Sequence, residues 1–89
     1  MAANLPSRNP DILFRRLDDE IVLVDMKTNH IYALNPTAAR FWELFASGMA
    51  RLEIETQLRE EYEIDEATVK REIDVLLAEL ARDGIVEFT

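Results

Sequence analysis

The chain of 89 residues contains no cysteine, one histidine and only two glycines. Without cysteine, disulfide bonds, thiolate metal sites and cysteine nucleophiles are all excluded. The single histidine, His30, cannot supply a histidine-based metal cluster. Gly48 and Gly84 lie far apart, so the chain has no glycine-rich loop that could cradle a phosphate. We therefore expect neither a bound metal nor a cofactor.

Long apolar runs and basic residues are also scarce. No run approaches the roughly 20 residues that a membrane-spanning helix needs, and the N-terminus has no hydrophobic signal core. These absences predict a cytoplasmic protein that does not act on a membrane. Ten basic residues stand against 18 acidic ones, which gives a net charge of −8. A general nucleic-acid binder needs a basic surface that displaces counterions from phosphates, so we expect no nucleic-acid partner.

What is present is an ordinary globular composition, with 48% hydrophobic and 31% charged residues. A chain of this length forms one domain and buries only about 60–65% of its unfolded surface, so its core is modest. Pro6 and Pro10 punctuate the start of the chain. We predict a flexible N-terminal arm over residues 1–10 and a single domain over residues 11–89.

One segment, residues 30–44, changes its hydrophobic period part-way along. Residues 30–34 are typical of a short β-strand. Asn35 is a suitable helix cap, and Pro36 fits the first helical position, where its missing N–H costs nothing. The apolar residues that follow recur at helical spacing and predict one buried stripe: Ala38, Phe41, Trp42, Leu44 and Phe45. A strand is thus expected to end in a sharply capped helix.

The remaining elements follow from the same two periods. Strands are predicted at 12–17 and 20–25, and the short turns between the three strands favour an antiparallel meander. Helices are predicted at 36–46, 51–62 and 66–83, and residues 85–89 read as a short strand or extended tail. Asp65 is the expected cap of the third helix, and Gly84 ends it. The apolar residues of the second helix and the apolar stripe of the third are, in turn, Leu52, Ile54, Leu58 and Tyr62, and Val69, Ile73, Leu76, Leu77 and Leu80. The fold class is therefore α+β, with a three-stranded antiparallel sheet followed by a three-helix winged helix-turn-helix body.

The sequence contains little that indicates a catalytic site. The run Glu60–Glu66 is rich in carboxylates, but no base, nucleophile or metal ligand accompanies it, so it is best interpreted as a solvated acidic surface. Asp25 and His30 could form a hydrogen-bonded pair across a turn, although an isolated pair of this kind is more typical of a turn contact. We expect a protein that is not an enzyme.

A helix-turn-helix body invites the alternative of a DNA-binding regulator. The third helix would read the DNA, yet between residues 66 and 83 it carries three basic and five acidic residues, a net of −2. The second helix has two basic and four acidic residues between 51 and 62, again −2. Both helices would be repelled by a phosphate backbone, so this alternative is the less favoured one.

The third predicted strand suggests a different activity. Residues 31–34 contain no charge, proline or glycine that would discourage pairing, and an exposed strand edge of this kind can accept a guest strand. The third helix could supply the opposite wall of the groove, with Leu77 as an apolar floor and Lys70 and Asp74 as a polar lip. A covered edge, or an edge that pairs with a second copy in a purely structural subunit, are the alternatives.

The segment Ile31-Tyr32-Ala33-Leu34-Asn35-Pro36-Thr37-Ala38, followed by Phe41-Trp42-Glu43-Leu44, resembles the PqqD-like family, and the ending Asp83-Gly84-Ile85-Val86 fits it as well. Members of this family recognise the leader peptides of ribosomally made, post-translationally modified peptides. They bind the leader as an added strand against the third strand, in a groove shared with the third helix. The resemblance implies a peptide-binding site at these positions: Ile31, Tyr32, Ala33, Leu34, Lys70, Ile73, Asp74 and Leu77.

The form of the motif resembles the stand-alone recognition proteins of lasso-peptide clusters, which work with a leader peptidase and a cyclase. The resemblance therefore implies a precursor leader peptide and these enzymes as partners. A second branch of the family serves pyrroloquinoline quinone synthesis as a peptide chaperone with a radical SAM enzyme. That branch is the alternative function, ahead of the DNA-binding regulator.

Overall fold

A computed structural model describes residues 5–88 of the chain. Within these residues the fold is α+β, as predicted, with three helices and a three-stranded antiparallel sheet. The elements follow one another along the chain in this order: β1 Ser7–Arg8, β2 Ile12–Leu17, β3 Glu20–Asp25, β4 Ile31–Leu34, α1 Pro36–Ala46, α2 Arg51–Tyr62, α3 Glu66–Arg82 and β5 Val86–Glu87. The strand that the sequence predicts as the third is β4.

The main sheet is a meander in the order β2-β3-β4. Two tight turns connect its strands, and each contains a residue with a left-handed backbone, Asp18 at φ 55° and Asn29 at φ 63°. Aspartate and asparagine tolerate this conformation better than most residues. Because paired residues lie on the same face, the register gives the sheet an inner and an outer face. The inner face carries the buried residues Ile12, Ile21, Leu23 and Leu34.

Helix α1 packs against this inner face. The side chain of Asn35 accepts a hydrogen bond of 2.9 Å from the Ala38 N–H, so the predicted cap is confirmed. Trp42 is buried, and its ring meets the edge of the Phe14 ring from β2 at 5.8 Å between centroids. Trp42 therefore packs the helix against the sheet, and its large aromatic side chain accounts for much of the apolar surface buried there.

Helix α2 begins without a polar cap residue, and Glu53 compensates by accepting a 2.9 Å hydrogen bond from the Ala50 N–H. Ile54 and Leu58 are buried, whereas Leu52 is 69% exposed and Tyr62 is also exposed. The predicted stripe on α2 is thus only half buried. Leu52 and Tyr62 lie four residues or more from the helix centre, where the neighbouring helices do not cover them.

Helix α3 begins at a confirmed cap, because the Asp65 carboxylate accepts hydrogen bonds from the Thr68 N–H and hydroxyl. Its buried face consists of Val69, Ile73, Leu77 and Leu80. Gly84, at φ 76°, then turns the chain into β5. None of the helices within residues 5–88 combines the length and apolar character that crossing a bilayer requires.

The start of the described chain is tied to its end. Ser7 and Arg8 pair with Glu87 and Val86 in a two-stranded antiparallel ladder. Asn9 extends this contact, since its backbone N–H donates to the Ile85 carbonyl at 2.9 Å. Ser7–Arg8, within the predicted arm, therefore form a strand, for which two exposed polar residues give no sequence signal. Residues 1–4 of the arm and Thr89 of the predicted tail lie outside the described residues, and the flexibility of the arm stays a prediction.

Candidate functional site

Strand β4 forms one edge of the main sheet. Within residues 5–88 it pairs with β3 alone, and the ladder between β1 and β5 forms a separate sheet. The described part of the arm and the tail therefore leave the outer edge of β4 open. An open edge presents unpaired N–H and carbonyl groups to any extended segment that approaches it.

The ladder indicates which backbone groups of β4 face outward. The Asp25 N–H donates to the His30 carbonyl at 2.9 Å, which makes this pair a hydrogen-bonded one. Hydrogen-bonded and non-bonded pairs alternate along antiparallel strands. In the observed register, Tyr32 and Leu34 therefore direct their amides toward β3, and Ile31 and Ala33 direct theirs toward the open edge.

The opposite edge of the sheet differs in charge. Strand β2 carries Arg15 and Arg16 in succession, and Arg16 forms an ion pair with Glu43 of α1. Charged side chains on an edge strand discourage pairing with another chain. Because β4 carries no charge, it is the better of the two edges for accepting a guest strand.

A cleft of about 580 Å³ lies between the start of α1 and helix α3. Asn35, the residue that directly follows β4, contributes to its wall. Apolar residues from all three helices line it, among them Ala38, Phe41, Leu58 and Leu76. Three charged residues of α3 line it as well: Arg71, Glu72 and Glu79. The cleft thus combines an apolar floor with ionic groups, which suits the side chains of a peptide.

The structure separates the helix residues that the sequence assigned to the groove. Ile73 is buried and lines the cleft. Leu77 is buried in the core and Lys70 and Asp74 point to α2, so these three lie outside the cleft lining. Their contact with a peptide stays a prediction.

Lys70 and Asp74 belong to an ionic cluster between α2 and α3. Its centre is Glu55, a carboxylate that is only 4% exposed. Arg51 donates to Glu55 at 2.9 Å and to Asp74 at 2.8 Å, and the Lys70 ammonium lies 3.3 Å from Glu55. The hydrogen bond to Glu55 raises the pKa of Lys70. A buried carboxylate needs such partners, so the cluster stabilises the packing of α2 on α3.

Among the cleft residues of α3 that the sequence did not assign to the groove are Arg71, Glu72, Leu76 and Glu79. Leu76 belongs to the predicted apolar stripe of α3, and that was its only signal. Either flank of the stripe could have faced the cleft, because a helical period does not say on which side the neighbouring helix packs. The flank that carries Lys70 and Asp74 forms ion pairs with α2, so the opposite flank of α3 is the one that faces the cleft.

Asp25 and His30 do not form a side-chain pair. The buried Asp25 carboxylate instead accepts hydrogen bonds from the Lys27 N–H at 2.9 Å and the Thr28 N–H at 3.3 Å. It therefore shapes the turn that leads into β4, as the turn interpretation predicts. Among residues 5–88, no three histidine, aspartate or glutamate residues are grouped so that they could hold a metal ion.

Two solved structures with this fold are described as complexes with a leader peptide. One, described as TbiB1 in complex with the TbiA(beta) leader peptide, is 28% identical, with a TM-score of 0.87 over 91% of this chain and 94% of that one. Another, described as lasso peptide synthetase B1 complexed with the leader peptide, is 26% identical, with a TM-score of 0.82. That match covers 89% of this chain and 93% of the other.

The family itself is defined by sequence. Residues 20–86 match the family model described as coenzyme PQQ synthesis protein D (PqqD). This chain belongs to the PqqD family, as its motif predicts. Among curated protein sequences, none matches it.

Proposed function

We propose that this chain recognises the leader peptide of a ribosomally made precursor in lasso-peptide biosynthesis. The leader adds as a strand to the open edge of β4 and places side chains in the adjoining cleft. The observation that carries this proposal is an uncharged edge, with the Ile31 and Ala33 amides directed outward, that ends at a cleft. Strand addition takes affinity from main-chain hydrogen bonds and specificity from side-chain pockets.

The comparisons support the same function. Both solved structures that match over nearly the whole chain contain a leader peptide, according to their descriptions. Their identities to this chain are modest, but their TM-scores of 0.87 and 0.82 indicate the same arrangement of strands and helices. A shared fold makes a shared mode of leader binding the simplest proposal.

The energetics require both the edge and the cleft. Ile31 and Ala33 each offer one N–H and one carbonyl, and a hydrogen bond contributes only about 0.5–1.5 kcal/mol net. The ladder therefore supplies a few kcal/mol. Binding in the sub-micromolar to micromolar range needs on the order of 8–10 kcal/mol after the peptide has lost its chain entropy. Burial of the leader's apolar side chains in the cleft, whose lining includes the half-buried Leu76, supplies the remainder.

In this proposal the protein itself catalyses no reaction. It holds the leader so that the attached core peptide stays near a leader peptidase and a cyclase, and the enzymes gain effective concentration rather than new catalytic groups.

We also propose that the helical body is a winged helix-turn-helix. The short connections between α1, α2 and α3 and the strand β5 that follows them support this description.

Fluorescence polarisation with a labelled synthetic leader peptide, taken from the precursor encoded beside this chain, tests the proposal. Ala33→Pro removes an outward N–H, and proline is tolerated on an edge strand when its N–H side faces away from the sheet. We expect Ala33→Pro to weaken binding by about tenfold, the equivalent of roughly 1.4 kcal/mol.

Ala33→Val is the matched control, because it keeps the N–H and favours a strand. It should bind the leader within about twofold of the wild type. Equal binding by the proline variant, with its circular dichroism unchanged, would show that the guest does not use the edge of β4.

The family description favours a second candidate, a role in pyrroloquinoline quinone synthesis beside a radical SAM enzyme. Both candidates use the same edge, so the identity of the peptide separates them. A competition between unlabelled lasso leader and unlabelled quinone-precursor peptide for the labelled complex would assign the pathway to the peptide that displaces the label at the lower concentration.

A further inference from the structure

Ile31 is a large apolar side chain that lies uncovered at the open edge of the sheet. It is 69% exposed and lies on the outer face, opposite Val24 of β3. Val24 is in turn opposite Leu13 of β2, which is 57% exposed. We call these three residues the outer row. Val24 is half-buried between its two neighbours, whereas within residues 5–88 no strand lies beyond Ile31 to cover it.

A strand that adds to β4 places one of its side chains beside Ile31. Laterally adjacent residues of paired strands project to the same face, and successive residues of a strand project to opposite faces. In antiparallel pairs the Cβ atoms of directly opposed residues lie about 4.5–5.5 Å apart. The guest residue next in sequence lies beside Tyr32, on the inner face that the helices cover. One guest residue therefore extends the outer row, and its neighbour faces the helices.

Both of these guest positions have apolar surroundings. On the outer face, the charged residues Arg15 and Glu20 lie on β2 and β3, in rows other than that of Ile31. On the inner face, Tyr32 is half-buried and packs against the core. A strand with only one covered face alternates apolar and polar residues, whereas a strand covered on both faces has consecutive apolar residues. The guest strand is expected to follow the second pattern beside Ile31 and Tyr32.

We propose that Ile31 determines specificity for the leader, by selecting an apolar residue that directly adjoins a second apolar residue in the leader sequence. This inference rests on the proposed function, because it takes the leader as the guest strand. The first of the two residues covers Ile31 on the outer face, away from the cleft, and the second lies beside Tyr32. A leader that alternates strictly between apolar and polar residues would leave Ile31 uncovered and would bind more weakly.

A double-mutant cycle tests the inference. Ile31→Thr removes apolar surface but keeps a β-branched residue that favours a strand. Leu13→Thr is the matched control, since Leu13 is an exposed member of the same row on the opposite edge of the sheet. The probe is the synthetic leader of the precursor encoded beside this chain, with each apolar residue replaced by serine in turn. Fluorescence polarisation measures every peptide against the wild type and both variants.

We expect Ile31→Thr to weaken binding of the unchanged leader by about three- to fivefold, and Leu13→Thr to leave it within about twofold. At one leader position, the loss caused by serine should be about threefold smaller against Ile31→Thr than against the wild type. A residue adjoining that position should also be sensitive to serine, with the same loss against both proteins.

The inference would be overturned by a leader in which no position is coupled to Ile31, or in which both neighbours of the coupled position tolerate serine. A wild-type dimer that Ile31→Thr converts to monomer in sedimentation velocity would also overturn it, because a second copy would then cover Ile31. Unchanged leader binding by Ala33→Pro would instead overturn the proposed strand addition itself. A clear loss with Ala33→Pro and no coupling to Ile31 would overturn this inference alone.

Discussion

Arg40 links α1 to the end of α2 through carboxylates on both helices. It donates to Glu61 at 2.7 and 2.9 Å and to Glu43 at 3.2 Å, while Gln57 also donates to Glu61. The hydrogen bond from Arg40 lowers the pKa of Glu61. Because both side chains are about one-third exposed, with 33% for Arg40 and 29% for Glu61, solvent screening limits their contribution to stability.

Glu61→Gln should lower the free energy of unfolding at pH 7 by about 0.5–1 kcal/mol. The folded-state pKa of Glu61 lies below its ordinary value of 4.5, so the contribution is complete above that pH and is lost as the pH falls through the folded-state pKa. Urea titrations at several pH values should therefore show the difference between variant and wild type shrinking in acid. Glu60→Gln, an exposed neighbour, is the control, and a difference that persists in acid would contradict the ion-pair account.

At the scale of elements, local chemistry determines most of the fold. Asn35, Asp65 and Gly84 mark the ends of helices in the sequence, and each has that role in the structure. The strand bounds 12–17 and 20–25 are also confirmed. What the sequence does not contain is the orientation of α3 about its own axis. Contacts between helices decide it, and that is why Leu76 rather than Lys70 lines the cleft.

Leu76→Ala should weaken leader binding by about tenfold, because it removes apolar surface from the floor of the cleft. Lys70→Ala is the matched variant on the opposite flank of the same helix, and we expect it to bind leader within about twofold of the wild type. Polarisation titrations with the same labelled leader measure both. A larger loss for Lys70→Ala than for Leu76→Ala would place the peptide on the flank that the sequence predicted.

For the molecule as a whole, the two ends of the described chain close on each other. The Asn9 side-chain amide donates to the Gly84 carbonyl at 2.8 Å, and its oxygen accepts from the Asp11 N–H at 2.9 Å. The contact between Asn9 and Gly84 joins residues that are 75 positions apart in the sequence. Such a pairing has no periodic signal, so sequence patterns cannot predict it. Because β1 and β5 pair with each other, neither of them pairs with β4, and the outer edge of β4 stays open.

Asn9→Ala should destabilise the fold by about 1–2 kcal/mol, because it removes two side-chain hydrogen bonds at this closure. For a domain of this size the corresponding fall in Tm is roughly 5–10 °C. Ser7→Ala, which leaves the backbone pairing of β1 intact, should change Tm by less than about 2 °C. Differential scanning calorimetry measures both, and equal Tm values for Asn9→Ala and the wild type would show that the side chain of Asn9 does not stabilise the closure.

Amide hydrogen exchange by NMR, with and without saturating leader peptide, tests the central claim most directly. The amides of Ile31 and Ala33 face the open edge in the free protein, and those of Tyr32 and Leu34 face β3. Strand addition predicts that leader slows exchange at Ile31 and Ala33 by about tenfold or more and changes Tyr32 and Leu34 far less. Bound leader with no added protection at Ile31 and Ala33 would contradict the account.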